Sequence, residues 1–192
     1  IGSRGLGDVY KRQSMILGNL ENAISSLSVL IEMNSDDLEA LVTIGKAYHT
    51  LERYELAQKH LEKALSLDPE ERRSRRTLGL IYDRLGMSDR ALEMYTKECI
   101  FEPMMFSNWE KKINLLYRVN RQDGARECIS QLLILGKHSL DSYLLANEIA
   151  LSFYWNDTST ELLDYCSEKW GHQSDYFSKI ASITVSYTHL RA

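Results

Sequence analysis

The chain has 192 residues, of which 44% are hydrophobic, 26% are charged and only two are proline. This composition is typical of a largely helical globular protein, and no apolar run is long enough to predict a membrane span. The formal net charge of −4 disfavours nonspecific nucleic-acid binding, which depends on an excess of Lys and Arg facing phosphates. We therefore expect a cytoplasmic protein that binds neither nucleic acid nor membrane.

The two ends of the chain are related through the genetic code. Residues 185–192 (VSYTHLRA) can be encoded by DNA whose opposite strand falls inside a sequence that encodes residues 5–13 (GLGDVYKRQ). Both strings resemble the translated transposon-end adapter that is used to build sequencing libraries. We therefore predict that residues 1–13 and 185–192 are adapter-derived and non-native, with residues 1–13 disordered, and that residues 14–184 are part of a longer protein.

Residues 14–37 are predicted to be an incomplete repeat. Ser14 to Leu17 would be the last turn of a first helix, and Glu21 to Met33 would be the second helix. The apolar residues of this second helix recur with the spacing of one helix face. They are Ala23, Ile24, Leu27, Leu30 and Ile31.

Residues 38–71 and 72–105 carry one pattern twice, at a fixed offset of 34 residues. The matching pairs are Ile44 with Leu78, Gly45 with Gly79, Tyr48 with Tyr82, Ala57 with Ala91, Leu61 with Tyr95, and Pro69 with Pro103. This order of residue types at this period resembles the tetratricopeptide repeat, a helix-turn-helix unit that stacks into a solenoid. The resemblance implies an all-α fold, an α-solenoid of antiparallel helix pairs with a 34-residue period.

The small residues of the pattern predict where the two helices of a repeat cross. Gly45 and Ala57 are expected at the closest approach, where a larger side chain would force the helices apart. In the second repeat, Glu98 stands at the position that Ala64 occupies in the first. This change predicts a looser contact or a partly exposed edge.

A third repeat is predicted over residues 106–139, in the same register but with a weaker pattern. Trp109 and Ala125 match the residue types of the family, whereas Lys112 and Ile113 replace the Leu-Gly pair. The helix pair is still expected, with an altered crossing. Since Lys137 replaces the closing proline, Gly136 is expected to end the second helix in a left-handed conformation.

A fourth repeat is predicted over residues 140–173, followed by the start of a fifth over residues 174–184. Apolar residues of the fourth keep helical spacing. They are Tyr143, Ala146, Ile149 and Ala150 in one helix, and Leu162, Leu163 and Cys166 in the next.

The sequence predicts no catalytic residue, cofactor site or metal site. Cys99, Cys128 and Cys166 are too far apart for a C-x-x-C motif, and we expect buried small side chains rather than ligands or nucleophiles. The interior histidines are scattered and form no H-x-x-x-H pair: His49, His60, His138 and His172. Phosphate-binding loops and hydrolase motifs are also missing from the sequence.

Four arginines follow Glu71 on the first turns of a predicted helix, in the run ERRSRR over residues 71–76. The helix dipole is unfavourable to positive charge there, so another interaction must favour them. One interpretation is a solvated basic face paired with neighbouring acids. The other is a groove that accepts an acidic or C-terminal peptide segment through charge-assisted hydrogen bonds.

In tetratricopeptide arrays the first helices line a concave groove, so the resemblance implies ligand-facing positions opposite the Leu-Gly-Tyr stripe. These positions are Lys46, His49, Arg73, Arg76, Leu80, Asp83, Asn114 and Tyr117, together with Val42 and Glu110. The two-carboxylate clamp of chaperone-binding members is not matched, because only two of five corresponding positions are basic. Those five are Val42, Lys46, Thr77, Ser107 and Lys111.

The resemblance implies a non-catalytic scaffold that needs no cofactor and binds a protein or peptide, and the arginine run over residues 71–76 favours an acidic one. Two alternatives stay open. The repeats can belong to a larger enzyme, such as a glycosyltransferase or sulfotransferase, whose catalytic domain lies outside this chain. The array can also self-associate through apolar faces at its two ends.

Overall fold

The computed structural model describes the backbone of residues 3–173, 176, 178 and 179, and the side chains of these residues from Gly18 onward. Over this part of the chain the regular elements are helices. They are α1 (Ser3–Met33), α2 (Leu38–Thr50), α3 (Tyr54–Leu67), α4 (Arg72–Arg84), α5 (Ser88–Phe101), α6 (Phe106–Arg118), α7 (Gln122–Leu135), α8 (Leu140–Ser152) and α9 (Asn156–Trp170). The chain divides into two compact units, Ile1–Met94 and Tyr95–Ala192.

The helix starts repeat with a constant spacing. The first helices of the repeats, α2, α4, α6 and α8, begin at Leu38, Arg72, Phe106 and Leu140. The second helices, α3, α5, α7 and α9, begin at Tyr54, Ser88, Gln122 and Asn156. Each start lies 34 residues after the corresponding one. The predicted all-α fold of helix pairs with a 34-residue period is therefore confirmed.

The turn inside each repeat has one residue in the left-handed conformation. These residues are Glu52, Gly86, Asn120 and Tyr154, with φ of 56°, 73°, 59° and 59°. The backbone N–H of the next residue then donates to the carbonyl five positions earlier and closes the helix, as from Arg53 N to Tyr48 O at 2.9 Å. Left-handed backbone favours glycine, yet only one of the four turns has a glycine.

Replacing Glu52 with glycine is expected to stabilise the chain by about 0.5–1 kcal/mol, because a non-glycine residue is strained in this conformation. Glu52 is exposed, so little packing is lost. The matched control is Lys59→Gly in the exposed interior of α3, which should destabilise by about 1 kcal/mol. Urea midpoints check both, and a lower midpoint for Glu52→Gly contradicts the strain.

The first helix differs from the prediction. A helix end at Leu17 and a new start at Glu21 were expected, but α1 runs without a break from Ser3 to Met33. The disorder expected over residues 1–13 stays a prediction. No neighbouring atom lies within 4 Å of a Cβ built at Gly18. Since no packed first helix holds a turn there, the backbone continues its helical hydrogen bonding. The adapter origin of residues 3–13 stays a prediction.

Several predictions fall on residues outside the described part of the chain. They concern residues 1, 2 and 185–192, and most of the fifth-repeat helix over residues 174–184. The stripe predicted for α1 is described: Ile24 is buried and Leu27 and Ile31 pack against its cluster, whereas Ala23 and Leu30 are exposed.

The predicted left-handed stop at Gly136 is wrong. Gly136 has a φ of −78°, and the left-handed residues are Lys137 and His138. Gly136 is needed for a different reason, because a Cβ there would lie 2.3 Å from the Cβ of Ser142. Close approach to α8, rather than backbone conformation, therefore explains this glycine.

The predicted close approach at Gly45 is confirmed. A Cβ at this position would lie 2.5 Å from the Cγ of Leu61, and Leu61 and Ala57 are fully buried. The contact joins α2 to α3, the two helices of the first complete repeat. A glycine on one helix therefore makes room for a leucine on the other.

The expectation of a partly exposed edge at Glu98 is wrong, because Glu98 is only 3% exposed. Leu132 and Cys166 stand 34 and 68 residues later on α7 and α9, and both are fully buried. The register of the second helix places this position inside, whatever the residue type. A buried carboxylate must be partnered, and Glu98 has interactions within the structure.

Candidate binding surface on the first helices

The first helix of the first complete repeat, α2, carries two predicted surface residues. Its start is capped by Asp37, whose carboxylate accepts a hydrogen bond from the backbone N–H of Ala40 at 2.9 Å. Ile44 is buried in the core, whereas Lys46 is exposed and His49 is half-buried. The amphipathic pattern of α2 therefore turns Lys46 and His49 away from the core.

The next first helix, α4, packs against α2 within the same unit. Its predicted surface residues are accessible, since Arg76 is exposed and Leu80 and Asp83 are half-buried. Leu80 and Asp83 follow Lys46 and His49 by one repeat each. Two neighbouring first helices thus present accessible side chains at the same repeat positions.

Arg84 belongs to this surface although the repeat pattern did not select it. Burial lowers the pKa of His49, and the positive charge of Arg84 lowers it further. Arg84 is exposed in the last turn of α4. It lies four residues after Leu80, a spacing that places two side chains on one helix face, and this spacing could have identified it.

Val42 does not belong to the surface, so this expectation is wrong. Val42 is fully buried and forms a core cluster with Leu41 and Ala64, against which Leu38 and Ile31 pack. The start of α2 therefore lies between α1 and α3 and is buried over a wide arc.

Arg73 is held by two carboxylates. Its Nη1 and Nη2 donate to the two carboxylate oxygens of Glu39 at 2.9 and 2.7 Å, and its Nε donates to Oε1 of Glu71 at 2.8 Å. Glu39 stands one repeat before Arg73, so the pair links α2 to α4. For Arg73, the interpretation of basic residues paired with neighbouring acids is therefore correct.

The other arginines of the run have different environments. Arg75 is buried and donates to the backbone carbonyl of Pro69 at 3.4 Å, while Arg72 is half-buried. Arg76 is exposed. The run is therefore distributed around the start of α4, with Arg73 and Arg76 exposed.

The second unit contributes three predicted positions on α6. Glu110 and Asn114 are exposed, whereas Tyr117 is half-buried. The Tyr117 ring stacks on Phe153 with 5.6 Å between centroids, and its hydroxyl accepts a hydrogen bond from Nε1 of Trp155. Tyr117 is thus part of a cluster of three aromatic rings that the repeat pattern alone did not reveal.

The cysteines are buried, as predicted: Cys99, Cys128 and Cys166. Burial raises the pKa of all three thiols, to about 12 for Cys99 and to about 11 for Cys166. Neutral buried thiols are poor nucleophiles and poor metal ligands.

Two searches of the described residues bear on other functions. Within residues 3–173 and the three described beyond them, no group of three or more His, Cys, Asp or Glu side chains could hold a metal ion. None of the helices in this part of the chain combines the length and apolar character needed to span a bilayer.

Comparison with known sequences agrees with this helical repeat architecture. Residues 36–99 match the tetratricopeptide repeat family. The chain is 38% identical over 56 residues to a DnaJ protein P58IPK homolog of Arabidopsis thaliana, and 34% identical over 56 residues to homolog B of Oryza sativa subsp. japonica. These matches cover 29% of this chain and only 12% of each relative.

Solved structures share the fold over most of the chain. The crystal structure of MamA matches with a TM-score of 0.59 and 15% identity, covering 94% of this chain and 95% of MamA. YrrB, described as a TPR protein with an unusual peptide-binding site, matches with a TM-score of 0.55 and 17% identity, covering 87% of this chain and 86% of YrrB. The protein is therefore a helical repeat protein. Over residues 36–99 its repeats match those of the tetratricopeptide repeat family.

Proposed function

We propose that this protein is an interaction scaffold whose first helices in the unit Ile1–Met94 bind an extended segment of a partner polypeptide. The observation that supports this most is the pair of neighbouring helices α2 and α4, which carry accessible side chains at equivalent repeat positions. Stacked repeats provide an extended surface of this kind. The repeat fold is typical of non-catalytic proteins.

The charges of this surface favour an acidic partner segment. Lys46, Arg76 and Arg84 are exposed bases, and Asp83 is a half-buried acid. Arg73 is already occupied by Glu39 and Glu71. A partner carboxylate can reach the exposed Lys46, Arg76 and Arg84, and Leu80 adds a half-buried apolar contact on α4. Within the other unit, Asn114 and Tyr117 on α6 are proposed separately as partner-binding positions.

Charge reversal of the surface tests this proposal. The probes are fluorescein-labelled twelve-residue peptides rich in Glu and Asp, each with a matched peptide in which Gln and Asn replace the acids. Lys46→Glu combined with Arg76→Glu should weaken binding of the acidic peptides by about tenfold or more, since like charges then face each other. Fluorescence anisotropy measures the affinities.

The matched control keeps the change in net charge but moves it away from the first helices. It combines Lys59→Glu on α3 with Lys169→Glu on α9, both at exposed positions. This variant should bind the acidic peptides like the unmodified chain. If both variants bind the acidic peptides equally weakly, the loss of affinity follows from net charge alone. That result would contradict a defined binding surface on α2 and α4.

Self-association has one observation in its favour. Val29, Leu30 and Met33 on α1 are 55%, 48% and 81% exposed, and clustered apolar exposure favours association. Light scattering over a concentration range measures it in the samples used for peptide binding. The larger-enzyme alternative and the cytoplasmic location stay predictions.

A further inference from the structure

A recess lies entirely within the unit Tyr95–Ala192 and uses none of the first-helix surface residues. It has a volume of about 310 Å³ and is formed by the last turns of α5 and α7 with α6 behind them. Its lining residues are Thr96, Cys99, Ile100, Trp109, Lys112, Gln131, Ile134 and Leu135. This volume is at the lower end of the range for ligand pockets, so it suits a group of about one residue.

The recess contains a buried lysine. Lys112 is only 7% exposed, and it stands one repeat after Leu78, which is fully buried in the preceding repeat. Its Nζ donates to Oε1 of Gln131 at 2.8 Å and lies 5.5 Å from the centre of the Trp109 ring. A lysine thus occupies the place at which the repeat pattern has leucine.

The ammonium of Lys112 has no anionic partner in the described part of the chain. Lys112 takes part in none of the ion pairs observed among the described residues, and of its three N–H donors one is used by Gln131. Removing a charge from water is costly unless an anion or several acceptors replace the water. A carboxylate from outside the chain would supply both.

The surroundings of this ammonium are apolar and partly open to solvent. Ile100 and Ile134 line the recess and are 58% and 66% exposed, and Phe101, next in the chain, is 53% exposed. Exposed apolar residues grouped in this way mark interaction sites. They extend beyond the recess itself, so they offer more apolar surface than a small acid needs.

We propose that this recess binds the C-terminal residue of a partner polypeptide. The terminal carboxylate would pair with Nζ of Lys112, and the apolar side chain carried on the same Cα would pack among Ile100, Ile134 and Leu135. A C-terminal Leu or Ile carries the carboxylate and an apolar side chain on one Cα. The recess likewise has Lys112 and apolar residues side by side. The exposed rim would receive the preceding residues of the partner.

The test uses a fluorescein-labelled peptide of sequence GSGSGL with a free C-terminus, together with its C-terminal amide. Fluorescence anisotropy should show binding of the free acid and at least about tenfold weaker binding of the amide. Equal affinities would overturn the proposal. Competition by hexanoate as effectively as by the unlabelled peptide would also overturn it, because a small acid would then suffice.

Substitution of Lys112 separates a binding role from a structural one. Lys112→Leu introduces the residue type that the preceding repeat has at this position. It should weaken binding of the free-acid peptide by about tenfold or more and leave the thermal midpoint of unfolding unchanged or raised. Lys111→Leu, at the exposed neighbouring position, is the control and should bind like the unmodified chain. Unchanged affinity for Lys112→Leu would overturn the proposal.

A second variant covers the case in which Lys112→Leu is unstable. Ile134→Ser changes an exposed residue of the rim and should weaken binding of the free-acid peptide by about threefold or more through lost apolar contact. Full retention of affinity by Ile134→Ser would exclude the recess. The acidic-peptide experiment changes residues of α2 and α4, whereas this experiment changes residues of α6 and α7. Each proposal can therefore fail independently of the other.

Discussion

Replacing Gly45 with alanine is expected to destabilise the chain by about 1–3 kcal/mol through overpacking. The same change in the exposed interior of a helix usually stabilises by about 1 kcal/mol, so the sign of the effect is informative. An added Cβ would lie 2.5 Å from Cγ and 2.6 Å from Cδ2 of Leu61. Leu61 is fully buried between α2 and α3, so it can move aside only if the helices separate.

Two further variants make this prediction specific. Gly124→Ala on α7 is the control, because its Cβ would meet Leu116 Cδ2 at an ordinary distance of 3.5 Å, and it should stabilise by up to about 1 kcal/mol. Leu61→Ala alone should cost about 2–5 kcal/mol. In the double variant Gly45→Ala with Leu61→Ala, the new methyl partly fills the space that leucine leaves.

Urea unfolding followed by far-UV circular dichroism measures this double-mutant cycle. The double variant should be more stable than the sum of the single effects predicts, by about 1 kcal/mol or more. Additive effects would mean that Gly45 and Leu61 are not coupled, and would contradict the close approach of α2 and α3 at this point.

The fold could be predicted from the sequence because the same residue pattern occurs twice at a fixed spacing. The six matched pairs across residues 38–105 fix the period, and the period fixes where the helices begin, so α2, α4, α6 and α8 start at equivalent residues. Gly45 could also be interpreted in advance, because a glycine inside an apolar helix face requires close approach. The role of Gly136 could not be predicted from the sequence, because this glycine allows close packing against Ser142 and does not adopt the left-handed conformation.

The candidate surface could be predicted only in part. Lys46, Arg76 and Asn114 are exposed, since charged and amide residues opposite a core stripe face solvent. Val42 was assigned wrongly because a helix packed on two sides is buried over an arc wider than one stripe. The spacing of apolar residues along α2 identifies one apolar face, but it does not show that α2 packs against both α1 and α3.

The pairing of Arg73 with Glu39 was present in the sequence and was missed. The two residues occupy the same position in successive repeats, so opposite charges at one repeat offset predict an ion pair between neighbouring first helices. By contrast, the cluster of Tyr117, Phe153 and Trp155 depends on ring orientations. Those orientations are set by packing in three dimensions, which spacing does not encode.

Replacing Glu71 with alanine is expected to destabilise the chain by about 1–2 kcal/mol, because Glu71 caps the start of α4. Its carboxylate accepts hydrogen bonds from the backbone N–H groups of Arg73 at 3.3 Å and Ser74 at 2.5 Å, and from Nε of Arg73 at 2.8 Å. This acid therefore offsets the unfavourable position of the arginines at the positive end of the helix dipole. Glu71→Gln keeps an acceptor and should cost less.

The same carboxylate predicts a dependence on pH. Burial by itself would raise the pKa of Glu71, but hydrogen bonds from Arg73 and Ser74 outweigh it and hold the pKa below the ordinary value of 4.5. A lowered pKa in the folded state means that the unfolded state takes up the proton first as the pH falls. The stabilisation is therefore fully present above about pH 4.5 and is lost progressively below it.

Urea midpoints measured between about pH 7 and pH 3 check this expectation. The midpoint of the unmodified chain should decrease below about pH 4.5, and the decrease should be smaller for Glu71→Gln, which has no proton to take up at this position. The control is Glu55→Gln, which removes an exposed carboxylate on α3 that has no ion-pair partner in the described part of the chain. Its pH profile should follow that of the unmodified chain. Parallel profiles for Glu71→Gln and the unmodified chain would instead mean that the cap is equally strong with a neutral side chain.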